Sequence, residues 1–182
     1  MNPRLHGTPA EGAPRWAVRA AYAISLLVLP SCLWRIGGFI LDLPLLEHGP
    51  IPPGQDPASF DGGPAYILAL SVVSEALALL CTGLVCRWGE VWPRWIPALR
   101  GRRVPVLAVV IPAGLGATIL MVFPYAMVMF ARGLTIRGDR GLGLVTHGWQ
   151  TVAFWGSYLP LAAWGPVLAV LTVHYYRRRT AG

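Results

Sequence analysis

The chain has 182 residues, of which 55% are hydrophobic and only 13% are charged, and its mean hydropathy is +0.55. Because soluble domains carry about a quarter charged residues, this composition excludes an ordinary soluble domain and indicates an integral membrane protein. The net charge is +7, and the fifteen basic residues are all arginines, most of them at the ends of apolar segments. That placement is typical of membrane orientation, and no RNA-binding motif accompanies it, so no nucleic-acid partner is predicted.

The N-terminal residues 1–15 hold three prolines and two glycines, a composition that predicts a disordered cytoplasmic tail. The first apolar segment follows at about residues 16–41. A helix needs ~20 apolar residues to cross ~30 Å of hydrocarbon, so this segment is long enough to span a membrane. It lacks the small-residue cleavage site of a secretory signal, and we expect it to remain as an anchor.

Residues 42–63 form a segment of different character. It contains four acidic residues, five prolines and no arginine. Such a density of turn-forming residues predicts an irregular loop, and the lack of positive charge places it outside the cell. The second apolar segment, at about residues 64–86, follows this loop.

The segment Arg87–Pro105 joins the two apolar halves of the chain and contains five arginines and three tryptophans. Arginine interleaved with tryptophan is typical of the membrane–water boundary, because indole rings settle at headgroup level and cytoplasmic loops collect positive charge. We predict a cytoplasmic loop that contacts anionic lipid headgroups, with docking of a cytoplasmic partner as the alternative. The contacting residues would be Trp88, Trp92, Arg94, Trp95, Arg100, Arg102 and Arg103.

Two more apolar segments lie at about residues 104–130 and 148–176. With four alternating spans, eleven arginines lie on the inner side and three on the outer side, so the positive-inside rule places both termini in the cytoplasm. The sequence therefore predicts an all-α membrane protein with an antiparallel four-helix bundle. Its transmembrane domain covers residues 16–177, and residues 178–182 form a basic C-terminal tail.

Two ionisable residues lie inside the predicted spans, Arg35 in the first and Glu75 in the second. A charge at the centre of a membrane helix costs ~2.5–3.5 kcal/mol on insertion scales, so such residues usually face the bundle interior and find a partner. We predict an Arg35–Glu75 ion pair between the first two helices. The alternative is that Glu75 is a protonatable site for transport or ligand binding.

Small and polar residues line one face of the second helix. Ser71, Glu75, Ala78 and Thr82 follow i, i+4, i+7 and i+11, which places them on one side. Such faces are common where membrane helices meet. The small residues at 113–117 predict another close helix contact, with a dimer interface as the alternative.

The sequence contains no recognisable catalytic set. No nucleophile motif, paired carboxylates, phosphate-binding glycine loop or metal-ligand spacing occurs, so no enzyme, cofactor or metal site is predicted. The cysteines Cys32, Cys81 and Cys86 are odd in number and form no CxxC motif, which argues against a disulfide framework.

Three stretches carry a resemblance to known proteins. They are SEALALLCTGLV (Ser74–Val85), WGEVWPRWIPALRGRRVP (Trp88–Pro105) and YLPLAAWGPVLAVLTVHYYRRR (Tyr158–Arg179). With these stretches the chain resembles a group of small multi-pass membrane proteins of actinobacterial type to which no activity is attached. The resemblance implies the membrane class and nothing about mechanism.

These observations predict a non-enzymatic protein of the cytoplasmic membrane that acts as a structural or accessory helical bundle. A small transporter or ligand-binding protein that uses Glu75 with Arg35 is the alternative. Anionic lipid is the expected surrounding, and a second copy or another membrane protein is the possible partner.

Overall fold

The computed structural model of the protein describes residues 8–45, 47–48, 63–91, 101–132, 134, 144–145 and 147–181. These parts of the chain are mainly helical. The helices are α1 (Arg15–Phe39), α2 (Gly63–Leu80), α3 (Val106–Leu120), α4 (Val122–Ala131), α5 (Trp149–Tyr158) and α6 (Trp164–Thr180). Short 3-10 helices cover Cys81–Leu84, Arg87–Gly89 and Pro160–Ala163, and two-residue strands β1 (Glu47–His48) and β2 (Leu144–Val145) pair antiparallel.

Four helical segments are long and apolar enough to cross a membrane. The predicted helical class with four candidate spans is thereby confirmed, and the ends differ from the predicted ones by a few residues. The segments are Arg15–Phe39, Gly63–Leu84, Val106–Met129 and Trp149–Thr180.

Proline explains why the third and fourth segments are each two helices rather than the single helices that the sequence predicts. A proline has no amide hydrogen for the carbonyl four residues earlier. Pro124 therefore leaves the carbonyl of Leu120 without its usual donor, and α3 ends at Leu120. Pro160 does the same after α5, where the chain tightens into the 3-10 helix Pro160–Ala163. Membrane proteins tolerate such breaks where other groups satisfy the freed carbonyls.

The chain divides into two compact units. Unit 1 contains Met1–Ser25, Leu77–Leu120 and Trp164–Gly182. In this unit α3 lies along α6, and a Cβ placed on Gly116 would lie 3.8 Å from the side chain of Leu168. Tyr175 and Leu171 of α6 are among the fully buried side chains, so the core of unit 1 lies around this helix. Of the predicted close contact at residues 113–117, Gly116 faces Leu168 of α6, whereas a Cβ on Gly114 would meet nothing within 4 Å.

Unit 2 contains Leu26–Ala76 and Met121–Ala163. Its hydrophobic core is built from Trp34, Met127 and Phe154. The side-chain amide of Gln150 donates a hydrogen bond of 3.0 Å to the carbonyl oxygen of Pro44, which ties α5 to the chain after α1. The prediction of one domain over residues 16–177 stays a prediction.

The structure describes parts of both predicted tails. In residues 8–14, the Ala10 amide donates to the Val85 carbonyl at 2.8 Å, and the Thr8 carbonyl accepts from the Arg87 amide at 3.0 Å. Backbone polar groups need partners in an apolar protein, and this pairing supplies them. At the other end, Arg178 and Arg179 belong to α6 rather than to a tail. Residues 1–7 and 182 lie outside the described ranges.

Candidate functional site

Arg35, predicted to pair with Glu75, is bound instead by its own helix. Its side chain is only 9% exposed. The Nε atom donates to the carbonyl oxygen of Ser31 at 3.2 Å, and Nη2 donates to the Ser31 hydroxyl at 3.2 Å. Residues four apart share one face of a helix, so these bonds form as soon as α1 is helical and require no second helix.

Glu75 lies half-buried in the middle of α2. Its Oε2 atom is buried and accepts no hydrogen bond from any residue that the structure describes. The ion pairs between described residues are those of Glu90 with Arg178 and Arg179, so the predicted Arg35–Glu75 pair is not formed. The physical reason is that Ser31 supplies Arg35 with nearer oxygen atoms on the same helix.

Cys32 connects α1 with α2 beside these two charges. Its thiol donates to the Ser71 carbonyl at 3.6 Å, and Arg35 Nη2 lies 4.0 Å from its sulfur. Both Arg35 and Glu75 interact electrostatically with this thiol. We call Ser31, Cys32, Arg35, Ser71 and Glu75 the polar centre. Among the residues that the structure describes, the buried Oε2 atom of Glu75 has no hydrogen-bond partner, so the polar centre combines one guanidinium group with one buried carboxyl oxygen that accepts no hydrogen bond from them.

An aromatic cluster in unit 2 lies next to the polar centre in sequence and in space. The Trp34 ring meets the rings of Phe154 and Tyr158 edge-on, at centroid distances of 5.5 and 5.4 Å. Phe154 and Tyr158 stack at 4.7 Å. Arg35 interacts electrostatically with the Tyr158 hydroxyl. The sequence analysis missed this cluster, because contacts between α1 and α5 leave no local pattern.

Replacing Trp34 by alanine should cost about 3–5 kcal/mol of the free energy of unfolding, because it removes a large buried side chain and leaves a cavity. Trp34→Phe should cost less than half as much, since the ring contacts remain in part and the indole N–H that it removes has no acceptor. Denaturant titration in detergent micelles measures both values. Equal losses for the two variants would contradict the role assigned to the ring.

The predicted polar face of the second span is mostly turned inward. Ser71, Ala78 and Thr82 are 4%, 0% and 7% exposed, whereas Glu75 is half-buried. The Thr82 hydroxyl donates to the Leu79 carbonyl at 2.6 Å, so it is occupied within its own segment. Glu75 is therefore the member of this face that is only half-buried, whereas Ser71 is buried against Cys32 of α1.

The predicted headgroup contacts fall partly outside the described ranges, which exclude Trp92, Arg94, Trp95 and Arg100. Of the others, Arg102 and Arg103 are exposed, and Trp88 is 39% exposed. The backbone of Arg103 pairs with that of Val91. The described ends of the central loop therefore lie side by side.

Two glycines hold Trp88 in place, which the sequence analysis did not foresee. A Cβ on Gly83 would lie 2.8 Å from the Trp88 ring, so the indole rests directly on that backbone. A Cβ on Gly89 would collide with the carbonyl oxygen of Gly83. Glycine at both positions lets the 3-10 helices Cys81–Leu84 and Arg87–Gly89 approach each other.

Unit 1 contains an apolar groove of about 460 Å³. It runs along α3 and is bounded by the end of the second span and by the start of α6. Its walls are almost wholly apolar. The indole N–H of Trp164 at its rim interacts with the Cys81 sulfur but reaches no acceptor at hydrogen-bond distance. Lining residues include Leu77, Leu84, Ala108, Gly116, Leu120 and Leu168.

Glu90 and the end of α6 form an ionic cluster in unit 1. Arg178 Nη2 lies 2.7 Å from Glu90 Oε1, and Arg179 Nη1 lies 3.9 Å from Glu90 Oε2. Both guanidinium groups lie over the Tyr175 ring, at 5.7 and 6.0 Å from its centroid. We call these four residues the Glu90 clasp. The sequence analysis treated the arginines as orientation signals and missed their carboxylate partner.

Among the residues that the structure describes, no group of three or more His, Cys, Asp or Glu side chains is arranged to hold a metal ion. The cysteines Cys32, Cys81 and Cys86 are buried and form no disulfide bond with one another. Comparison of the chain with protein-family models, curated proteins and solved structures finds no match.

Proposed function

We propose that the protein is a small, non-enzymatic transporter of the cytoplasmic membrane that moves protons, alone or with a solute, through the polar centre. The observation that carries this proposal is Glu75 Oε2, which is buried within a candidate span and has no hydrogen-bond partner among the described residues. A carboxyl group in this position is free to take up and release a proton.

The energy of an intramembrane acid supports this function. An Asp, Lys or Arg at a helix centre costs ~2.5–3.5 kcal/mol on insertion scales, and a carboxylate with a purely structural role would recover part of that cost through a partner. Arg35 is bound by Ser31 instead, so Glu75 does not lock α2 to α1. Ionisable residues inside spans commonly mark proton or solute pathways.

The proposed topology is an antiparallel four-helix arrangement with both termini in the cytoplasm. It is supported by the distribution of arginines, of which eleven fall on the inner side and three on the outer side. Exposed Trp88, Arg102 and Arg103 would then contact anionic headgroups of the inner leaflet.

A structural or accessory bundle is the second candidate. It is favoured by the Glu90 clasp and by the third span, in which only 6% of the residues of its most apolar window are buried. A protein with this function would present the exposed side of α3 to a second copy or to another membrane protein, and it would move nothing.

Proton uptake into vesicles separates the two functions. The full chain is reconstituted into liposomes that hold a pH-sensitive dye, and a potassium gradient with valinomycin makes the interior negative. Wild-type vesicles should acidify faster than empty ones, and Glu75→Gln should reduce the rate to that of empty vesicles. The same substitution should change the free energy of unfolding by less than about 1 kcal/mol, because it breaks no hydrogen bond or ion pair of Oε2.

Glu11→Gln is the matched control, since it makes the same chemical change at an exposed residue before α1 and should leave the uptake rate unchanged. Wild-type vesicles that acidify no faster than empty ones would overturn the proposal and leave the accessory bundle. If Glu75→Gln lowers the free energy of unfolding by several kcal/mol, Glu75 has a structural role instead.

A further inference from the structure

The apolar groove of unit 1 exists because one face of α3 carries little side-chain volume. Ala108, Pro112, Ala113 and Gly116 line it, and they follow i, i+4, i+5 and i+8, which is one side of a helix. Leu168 of α6 stands opposite. In a bilayer the medium around a candidate span is lipid, so a groove of this kind is filled by hydrocarbon rather than by water.

The length of the groove matches one leaflet. Its lining residues on α3 extend from Ala108 to Leu120, a rise of roughly 18 Å at 1.5 Å per residue. Half of the ~30 Å hydrocarbon core is ~15 Å. The groove is therefore long enough to hold the part of a phospholipid acyl chain that lies in one leaflet.

Positive charge is concentrated at one end of the groove. Trp88 and Gly89 line this end, and Arg87 precedes them in the chain. The amide of Val104 donates to the Glu90 carbonyl at 2.9 Å, which brings the preceding residues Arg102 and Arg103 to the same end. The three arginines are exposed, and none is in an ion pair with another described residue.

We propose that the groove is a binding site for one anionic phospholipid. One acyl chain lies along α3 against Leu168, and the phosphate is bound by Arg87, Arg102 and Arg103. Guanidinium groups bind phosphate through paired N–H donors, which lysine does not offer. Every residue involved belongs to unit 1, so the site is independent of the polar centre and of proton transport.

Native mass spectrometry of the full chain in detergent tests the site, with palmitoyl-oleoyl phosphatidylglycerol as the probe and phosphatidylcholine of the same chains as its comparison. The wild type should retain one phosphatidylglycerol and prefer it to phosphatidylcholine by about tenfold or more, since each arginine near a headgroup contributes on the order of fivefold. Replacing Arg102 and Arg103 by glutamine should remove most of this preference, whereas Arg19→Gln, on exposed α1 surface, should leave it.

Filling the groove is the second arm of the test. Gly116→Leu should abolish retention of both lipids, and Ala113→Leu provides the same change if the first variant does not fold. Gly114→Leu is the matched control, because nothing lies within 4 Å of a Cβ at that position and it does not line the groove.

Each remaining outcome contradicts the proposal in a distinct way. Equal retention of the two lipids by the wild type would overturn the phosphate site. Lipid retention by Gly116→Leu and Ala113→Leu at the wild-type level would overturn the groove as its location. A wild-type dimer that Gly116→Leu dissociates would assign the groove to a second copy of the chain.

Discussion

Gly89→Ala is expected to prevent unit 1 from folding. The new Cβ would occupy the position of the Gly83 carbonyl oxygen, and that atom is part of a backbone that cannot rotate away as a side chain can. Relief requires the two 3-10 helices to separate, which would also release Trp88 from Gly83. Substitutions that force such a backbone shift belong to the rare class that costs more than about 4 kcal/mol.

The expected result is a loss of folded protein in size-exclusion chromatography after mild detergent extraction. Gly114→Ala is the matched control, since a Cβ at that helical position meets nothing within 4 Å. It should be neutral or stabilise the protein by up to about 1 kcal/mol, because alanine is the better helix former. If Gly89→Ala is extracted and melts like Gly114→Ala, the close approach of residues 83 and 89 is wrong.

Glu90→Gln should lower the free energy of unfolding by about 2–3 kcal/mol, because it leaves a nearly buried arginine without its charge partner. The side chain of Arg178 is 11% exposed and that of Glu90 is 19% exposed. Arg178 also holds Nε and Nη1 atoms that are buried without a partner. Its Nη2 atom donates to Glu90 Oε1 at 2.7 Å and to the Leu84 carbonyl at 3.3 Å, and Glu90 is its charge partner among the described residues.

Denaturant titration in micelles measures this loss, and a double-mutant cycle assigns it to the pair. The double variant Glu90→Gln, Arg178→Gln should be more stable than the sum of the single losses implies, since neither charge is then left alone. Glu11→Gln, an exposed acid in the N-terminal segment, should change stability by less than about 0.5 kcal/mol. Additive losses in the cycle would show that Glu90 and Arg178 act separately.

For Arg35 and Glu75, the sequence predicted the positions of the two residues but not their interaction partners. Both residues were recognised as ionisable groups inside candidate spans, and both lie there. Their hydrogen-bond and ion-pair partners depended on which oxygen and nitrogen atoms lie within reach of each side chain. Ser31, one turn away on the same helix, accepts hydrogen bonds from Arg35 through its carbonyl and hydroxyl oxygens. The i, i−4 spacing of Ser31 and Arg35 in the sequence was enough to predict these bonds.

Other contacts were beyond any local pattern. The Glu90 carboxylate and Arg178 are 88 residues apart in the chain, and Gln150 reaches the Pro44 carbonyl across 106 residues. Composition and periodicity report on neighbours within a few turns of one helix. They do not report which helices meet or at which rotation, so the aromatic cluster and the groove were not foreseen.

The sequence by itself determined that four helical segments are able to cross a membrane, because the length and apolarity that hydrocarbon demands are properties of one continuous segment. It also determined where prolines can interrupt these helical segments and where arginines lie at their ends. Only the tertiary structure decided what the charged side chains meet. In the described parts of the chain, Glu75 Oε2 accepts no hydrogen bond, Glu90 pairs with two arginines, and one face of α3 lines a groove. These results depend on the relative rotation of helices that are distant in the chain, and side-chain volume and hydrogen bonding set that rotation only when the helices meet.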